Sequence, residues 1–229
     1  MSIRSLLDHH QRQVNRKAWS DLGGFADSLE QAGQLKTVSE KISPELEITG
    51  LCHRSLVNDG PALAFDRVRG HNMPVLGNLF GNEKRVLMAL ELESRQELRA
   101  LGKQFAFLKN PELPDSIGKA IDAAPGFARM AHVTPVHKTG APWQENVTEG
   151  PDVDLGTLPI CTCWPGDAAP LVTWGLVITQ GPNTPRVNLA IYRLQLIGRN
   201  KLIMRWLAHR GGALDYREFQ QANPGKPYP

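Results

Sequence analysis

Apolar residues in "WSDLGGFADSLEQAG" recur as Leu22, Phe25, Ala26, Leu29 and Ala32, the spacing of one helical face. Ser20 or Asp21 can cap the start of that helix, and Gly33 supplies a left-handed stop. A short strand is predicted at "LKTVSEKI". A second helix is predicted in "SPELEITGLCHRSL", with Ser43 as cap and Pro44 at the first helical position, where a missing N–H costs nothing. Two apolar runs, "PALAF" and "MPVLGNLF", are separated by the turn chemistry of "DRVRGHN". Helical spacing returns in "NEKRVLMALEL" and "SRQELRALGKQFAFL". The latter opens with a Ser94–Glu97 capping box and is expected to bury Leu98, Leu101, Phe105 and Leu108. The first half thus reads as helices and strands alternating around an α/β core.

Between 111 and 150 the periodicity fails. "NPELPDS", "AAPGF", "VTPVHKTGAPW" and "TEGPDVD" read as a Pro/Gly-rich connector with one short helix, "IGKAIDAA". Beyond it, "LPICTCW", "LVTWGLVIT", "VNLAIYRLQLI" and "KLIMRWL" are strand-like runs joined by "PGDAAP", "GPNTPR" and "GRN". Short connections favour antiparallel hairpins, hence a small β-barrel or sandwich. The chain divides into a basic arm at 1–18, an α/β domain at 19–110, the connector at 111–150 and a β-rich domain at 151–229. The fold class is α+β. No internal repeat, Rossmann glycine fingerprint or P-loop interrupts this plan.

Composition narrows the picture only a little. The 229 residues are 41% apolar and 21% charged, ordinary for a globular protein. A net charge of +3, with Lys and Arg scattered, argues against a nucleic-acid partner, which needs a clustered basic face. No window approaches the roughly 18 apolar residues of a membrane helix, and the start, without an apolar core and small-residue cleavage site, is not expected to be a secretory signal. That start, "MSIRSLLDHHQRQVNRKAW", reads as a frayed arm, basic and amphipathic enough for weak membrane or anionic contact. The expected location is cytoplasmic, at most peripheral to an inner membrane. Three cysteines, Cys52, Cys161 and Cys163, suit a reducing compartment. On a strand, Cys161 and Cys163 share one face and read as packing residues.

The chemistry concentrates near the end. In "HRGGALDYREF" a strand gives way to two glycines and a helix. Gly211 and Gly212 are expected to leave N–H groups open at that helix N-terminus, between Arg205 and Arg210. The arrangement suits a mononucleotide phosphate, although glycine at a helix start is common. Asn188 and Arg193 lie inside the apolar run "VNLAIYRLQLI". A buried Arg193 needs carboxylates or a polar ligand, and the Asn188 amide oxygen is a hard ligand for Mg²⁺ or Mn²⁺. Five residues apart on a regular strand, the two point to opposite faces. Either a bulge lies between them, or one face meets a ligand and the other a salt bridge; an edge strand with Arg193 in solvent is the competing reading.

Across "TCWPGDAAPLVTWGLVITQGP" and "NLAIYRLQLIGRNKLIMRWLAHRGGALDY", this sequence resembles the UbiD family of reversible decarboxylases, the 3-octaprenyl-4-hydroxybenzoate carboxy-lyases. The resemblance extends upstream through "LEQAGQLKTV", "PELEIT", "GPALAFDRVRGHNMPVLGNLFGNEKRV" and "LGKQFAFLKNPELP", from about residue 19 to the end. It implies an α/β domain followed by an antiparallel flavin-binding split β-barrel, incomplete in this chain. It implies prenylated FMN held with a divalent metal, usually Mn²⁺ (or Mg²⁺), and a monovalent cation such as K⁺. By the same resemblance, Asn188 helps hold the metal. Prenylated-FMN contacts come from Ile191, Tyr192 and Arg193, from Arg205, Trp206 and Leu207, and from Arg210 and Gly211. Arg193 also belongs to a catalytic ionic network with two acidic residues, and His209 approaches the metal in a weaker reading.

The implied activity is non-oxidative decarboxylation of 3-polyprenyl-4-hydroxybenzoate to 2-polyprenylphenol in ubiquinone biosynthesis. The modified flavin adds to an unsaturated carbon pair, CO₂ leaves, and an acidic residue returns a proton. The implied partners are a polyprenylated aromatic acid, a flavin prenyltransferase as cofactor supplier and, at full length, a second copy. One departure matters. Family members continue past "NPGKPYP" for about as many residues again, and the metal-completing glutamate and catalytic acids match nothing in these 229 residues. The chain alone is therefore expected to be inactive. The alternatives are a catalytically silent flavin-phosphate-binding remnant and a UbiD-like decarboxylase of another aromatic or unsaturated acid. An ordinary flavin oxidoreductase is weakened, because the likeness follows the decarboxylase motifs.

Overall fold

The computed structural model describes residues 19, 21–109, 139–141 and 144–229. The arm at 1–18, the alternative cap Ser20 and the expected helix in "IGKAIDAA" lie outside them. The architecture is α+β, with two three-stranded sheets. The chain divides into two compact units: the described residues of Met1–Gln34 with Phe80–Val147, and of Leu35–Leu79 with Thr148–Pro229.

The first unit is helical. Helix α1 (Leu22–Gln31) is capped by Asp21, whose carboxylate accepts the Gly24 N–H at 2.8 Å, and it buries Phe25 and Leu29. Its chain turns at Gly33, φ 65°, a left-handed position that glycine adopts without a Cβ penalty. The expected cap and stop are present; of the expected face, Phe25 and Leu29 are buried while Leu22 and Ala32 are exposed. In the same unit α3 (Glu83–Ala89) starts at Asn82, whose side chain accepts the Arg85 N–H at 3.0 Å. Then α4 (Arg95–Lys109) starts at Ser94, whose hydroxyl accepts the Glu97 N–H at 3.2 Å. The capping box is shifted by one residue: the Glu97 carboxylate accepts from the N–H of Glu93. Phe105, expected to be buried, is 62% exposed, so helical spacing identified an apolar stripe but not what covers it.

The second unit holds both sheets. In the first, β1 (Leu35–Val38) pairs in parallel with β2 (Ala62–Phe65), and β2 pairs antiparallel with β3 (Val75–Gly77). Helix α2 (Glu47–Val57) forms the β1-to-β2 crossover, as a parallel pair requires. It closes a core of Ile48, Leu63, Phe65 and Val68, against which Leu51, Cys52 and Cys161 pack. Gly77 is required there, because a Cβ would overlap the Cys52 sulfur.

Helix α2 corrects the sequence reading. It begins at Glu47, not at Pro44, and its cap position is Leu46 at φ 63°. Ser43 still exchanges bonds with the chain ahead of it: its hydroxyl accepts the Glu45 N–H, and its own N–H donates to Glu47. The cause of the delay is distant in sequence. Thr162 N–H donates to the Pro44 carbonyl at 3.2 Å, and Leu46 N–H donates to the Thr162 carbonyl at 2.9 Å. Those bonds hold residues 44–46 in a non-helical turn, with Glu45 bridged to Thr162.

The same bridges explain why "LPICTCW" is not a strand, so Cys161 and Cys163 do not share a strand face. Only Thr162 forms a β-bridge, with Glu45. Nearby, the Cys161 carbonyl accepts from Leu171, and Trp164 turns back on Asp167. Neighbouring residues bond to different segments, so no ladder propagates.

The second sheet is an antiparallel meander of β4 (Leu171–Gln180), β5 (Val187–Gly198) and β6 (Lys201–Arg205). Helix α5 (Gly211–Ala222) follows directly and packs on β4 and β5. The register is regular from Gly175–Tyr192 to Gln180–Val187, with the β4 irregularity confined to residues 172–175. Alternation therefore assigns the faces. Thr179, Asn188 and Tyr192 face α5. Leu176, Ile178, Leu189, Ile191 and Arg193 lie on the other face, which is open: Ile178 is 71% exposed.

Candidate functional site

The open face of β5 and the β6–α5 connection enclose a cavity of about 610 Å³. Its apolar wall comes from Leu176, Leu189, Ile191 and Leu207 and its cationic rim from Arg193, Arg205 and Arg210; Trp206 and Tyr192, the latter with its hydroxyl turned to α5, complete the lining. Seven residues singled out in the sequence thus meet at one place: Ile191, Tyr192, Arg193, Arg205, Trp206, Leu207 and Arg210. Gly211 and Asn188 do not line it.

Arg193 is not buried. It sits on the central strand with its side chain on the open face, directly across the ladder from Arg205. Both guanidiniums are exposed, and neither pairs with a carboxylate among the described residues. Like charges directly opposite one another destabilise a sheet. Two such arginines at one end of an apolar cavity suit an anion that binds both through charge-assisted, fork-shaped hydrogen bonds.

No bulge separates Asn188 from Arg193, so the two do project to opposite faces. On the Asn188 side a hydrogen-bonded chain runs into the protein. Asn188 Nδ2 donates to Thr179 Oγ1 at 2.9 Å, and Thr179 Oγ1 donates to Asp215 Oδ2 at 2.6 Å. The other Asp215 oxygen accepts from Arg186 at 2.7 Å. Asp215 is 2% exposed and Thr179 6%. The Asn188 carboxamide oxygen accepts nothing among the described residues and lies against Gly211, where a Cβ would overlap it.

The start of α5 is built around its glycines. Gly212 N–H donates to the Tyr192 hydroxyl at 2.9 Å, so one of the two N–H groups expected to await an anion is already taken. A Cβ on Gly212 would come within 2.9 Å of the Trp206 ring, which stands edge-on to Tyr192. His209 is exposed in the turn that the Arg210 N–H closes onto the Leu207 carbonyl.

Sequence reasoning passed over Thr179, Asp215 and Arg186. One signal was available. Asp215 falls in the row Gly212, Asp215, Phe219 on the packed face of an amphipathic helix, and a carboxylate there demands partners. The three cysteines lie elsewhere in this unit. Burial, then the proximity of Cys161 and Cys163, pushes the Cys52 thiol up to about 11; burial, then Cys163, pushes Cys161 up to about 11.

Comparison with known proteins decides the family. Residues 26–105 match the family model of the 3-octaprenyl-4-hydroxybenzoate carboxy-lyase N-terminal domain, and residues 134–229 match the Rift-related domain of the same family. The chain belongs to the UbiD family. Among solved structures it is similar to the UbiD-class enzyme HmfF from Pelotomaculum thermopropionicum in complex with FMN. Identity there is 27%, the TM-score is 0.68, and 90% of this chain and 40% of that one are covered. An evolved dimeric form of HmfF in complex with prFMN gives 26%, 0.72, 92% and 43%. The vanillic acid decarboxylase of Sedimentibacter hydroxybenzoicus in open form gives 25%, 0.70, 93% and 41%. This UbiD chain spans about two fifths of the length of these solved relatives.

The cavity's chemistry fits a flavin mononucleotide: guanidiniums for a phosphate, and leucine, isoleucine and aromatic surfaces for a fused ring. For a divalent metal, Asn188 offers one open hard oxygen. Among the described residues no group of three or more His, Cys, Asp or Glu side chains is arranged to hold a metal ion. The residues present therefore fit one position of a metal's coordination shell. No helix among the described residues is long and apolar enough to cross a membrane.

Proposed function

We propose that this chain cradles prenylated FMN for the non-oxidative decarboxylation of 3-polyprenyl-4-hydroxybenzoate to 2-polyprenylphenol, a step of ubiquinone biosynthesis. The observation that carries this reading is the single cavity in which Arg193, Arg205 and Arg210 rim a wall of apolar and aromatic side chains. FMN and prFMN in the HmfF structures support the cofactor. The family's carboxy-lyase description and the decarboxylase among the solved relatives support the reaction. The exposed apolar surface of Ile178, cross-strand from Leu189 of the cavity wall, suits a polyprenyl tail.

The chain's own residues take definite roles. Arg205 and Arg210 hold the cofactor phosphate, Tyr192 and Trp206 shape the wall beside it, and Ile191 and Leu207 exclude water. Gly211 keeps the start of α5 clear so that the Asn188 oxygen reaches a Mn²⁺ (or Mg²⁺) ion, with K⁺ as a further cation. Arg193, on the same rim, bonds the cofactor and also grips the substrate carboxylate as a catalytic residue, releasing it as CO₂ when the C–C bond breaks. When bound, prenylated flavin supplies the covalent electron sink for that bond's electrons. A proton must then reach the same carbon, and its donor lies outside the residues assigned here. A flavin prenyltransferase supplies the cofactor, and the working enzyme is a homo-oligomer.

A second reading, a silent flavin-phosphate binder, draws on the absence of a carboxylate beside Arg193 among the described residues. Co-expression with a flavin prenyltransferase, followed by mass spectrometry, an absorption spectrum and a CO₂-release assay, tests both readings. Prenylated FMN retained by this chain, with turnover in a longer polypeptide containing it, supports the decarboxylase. Retention without turnover in either supports the silent binder, and no flavin in either preparation removes both.

A further inference from the structure

We infer that Thr179 and Asp215 are positioning residues that set the Asn188 carboxamide so that its oxygen, not its nitrogen, is presented at the start of α5. The inference rests on the reading of Asn188 as a metal ligand and adds the part of the chain that orients it.

The argument follows the protons. Asp215, ion-paired with Arg186, has two acceptor oxygens and nothing to donate. At 2.6 Å from Asp215 Oδ2, the Thr179 hydroxyl must therefore spend its single proton there. Its oxygen is left as an acceptor. The group 2.9 Å away on that side is the Asn188 carboxamide, which can satisfy it only with the NH₂ end. A flipped amide would set two oxygens against each other without a proton between them. The carboxylate's charge thus passes through one hydroxyl and determines which end of the amide points the other way.

Two further observations agree. Asp215 and Thr179 are buried, so water does not offer the hydroxyl a competing partner. On the far side, Asn188 Oδ1 meets residue 211, where any side chain would overlap it. The oxygen is aimed and its surroundings are kept clear; both are needed for a hard cation to approach.

The test uses the whole chain loaded with FMN, with Mn²⁺ as the probe. Affinity is read by titration calorimetry and by the electron paramagnetic resonance spectrum of bound Mn²⁺. Thr179→Val is expected to weaken Mn²⁺ binding about 10–100-fold, the usual range for loss of a ligand's outer partner, and Asn188→Ala, which removes the ligand itself, at least as much. Thr179→Ser, which keeps the hydroxyl, is expected to restore binding to within about threefold. If Asn188→Ala leaves Mn²⁺ affinity unchanged, the ligand reading fails, and this inference falls with it. If Asn188→Ala weakens binding while Thr179→Val does not, or if Thr179→Ser is as weak as Thr179→Val, the relay alone is overturned.

A measurement on the unaltered protein decides the case even if a variant fails to fold or Mn²⁺ binds too weakly to titrate. With nitrogen-15 asparagine, the Asn188 side-chain NH₂ should show protection from solvent exchange well above that of an exposed asparagine. An Asn188 NH₂ exchanging at the exposed rate would place the nitrogen outward and refute the inference.

Discussion

Replacing Arg193 by glutamine should make the cofactor-free protein more stable and the cofactor weaker. Arg193 and Arg205 are direct cross-strand partners on an exposed face. Directly opposite Cβ atoms in an antiparallel pair lie roughly 4.5–5.5 Å apart. The exposed guanidiniums splay farther apart than their Cβ atoms; two unit charges about 8 Å apart in water repel by about 0.5 kcal/mol, and ions at physiological strength screen that to roughly a third. Arg193→Gln keeps a long polar side chain and removes the repulsion. With a urea dependence of about 2 kcal/mol per molar, the unfolding midpoint should rise by roughly 0.25 M at low salt. The gain should vanish in 1 M NaCl. FMN affinity should move the other way: loss of a charge-assisted hydrogen bond contributing about 1.5–3 kcal/mol weakens binding roughly 10–150-fold. Urea titrations of Arg193→Gln, Arg205→Gln and the double variant, each at two salt concentrations, isolate the coupling. The reasoning is refuted if Arg193→Gln lowers cofactor-free stability at low salt, or if FMN binds it as tightly as the unaltered chain.

Tyr192→Phe should destabilise the protein by about 1–3 kcal/mol, because the buried Gly212 N–H loses its acceptor while the ring remains; a change under about 0.5 kcal/mol in denaturant titration would contradict that assignment. Cys52 and Cys161, with thiols pushed up to about 11, should alkylate about 100-fold more slowly at pH 8 in the folded protein than in the unfolded chain. Peptide mass spectrometry after iodoacetamide pulses reads the rates, and equal rates would count against the packing described. The same raised values favour the folded state below the unfolded thiol's ordinary 9.0, so stability should fall as pH rises from about 9 to about 11.

Elements whose cause lies within a few residues were legible in the sequence. The buried Phe25 and Leu29 of α1, its Asp21 cap and its Gly33 stop follow from spacing and side-chain chemistry inside one segment. The β4–β5–β6 meander follows from apolar runs separated by short turns. Elements that depend on a distant partner were not. Ser43 and Pro44 carry good helix-start chemistry, yet Thr162, more than a hundred residues later, bonds the intervening backbone and postpones α2 to Glu47. "LPICTCW" has strand composition, but its neighbours divide it among several segments. Phe105 sits on a helical stripe that its surroundings leave exposed.

For the candidate site, local pattern sufficed to collect Ile191, Tyr192, Arg193, Arg205, Trp206, Leu207 and Arg210, because one hairpin and one short connection carry them all. Strand alternation alone determined that Asn188 and Arg193 serve different faces, since their separation is odd and no bulge intervenes. Only the tertiary structure decided what each face meets. Packing α5 on one side brings Asp215 and Thr179 to Asn188, while the other side stays open around two facing arginines. The physical reason is that periodicity specifies direction relative to the chain, whereas burial and hydrogen-bond partners depend on which segments fold against it.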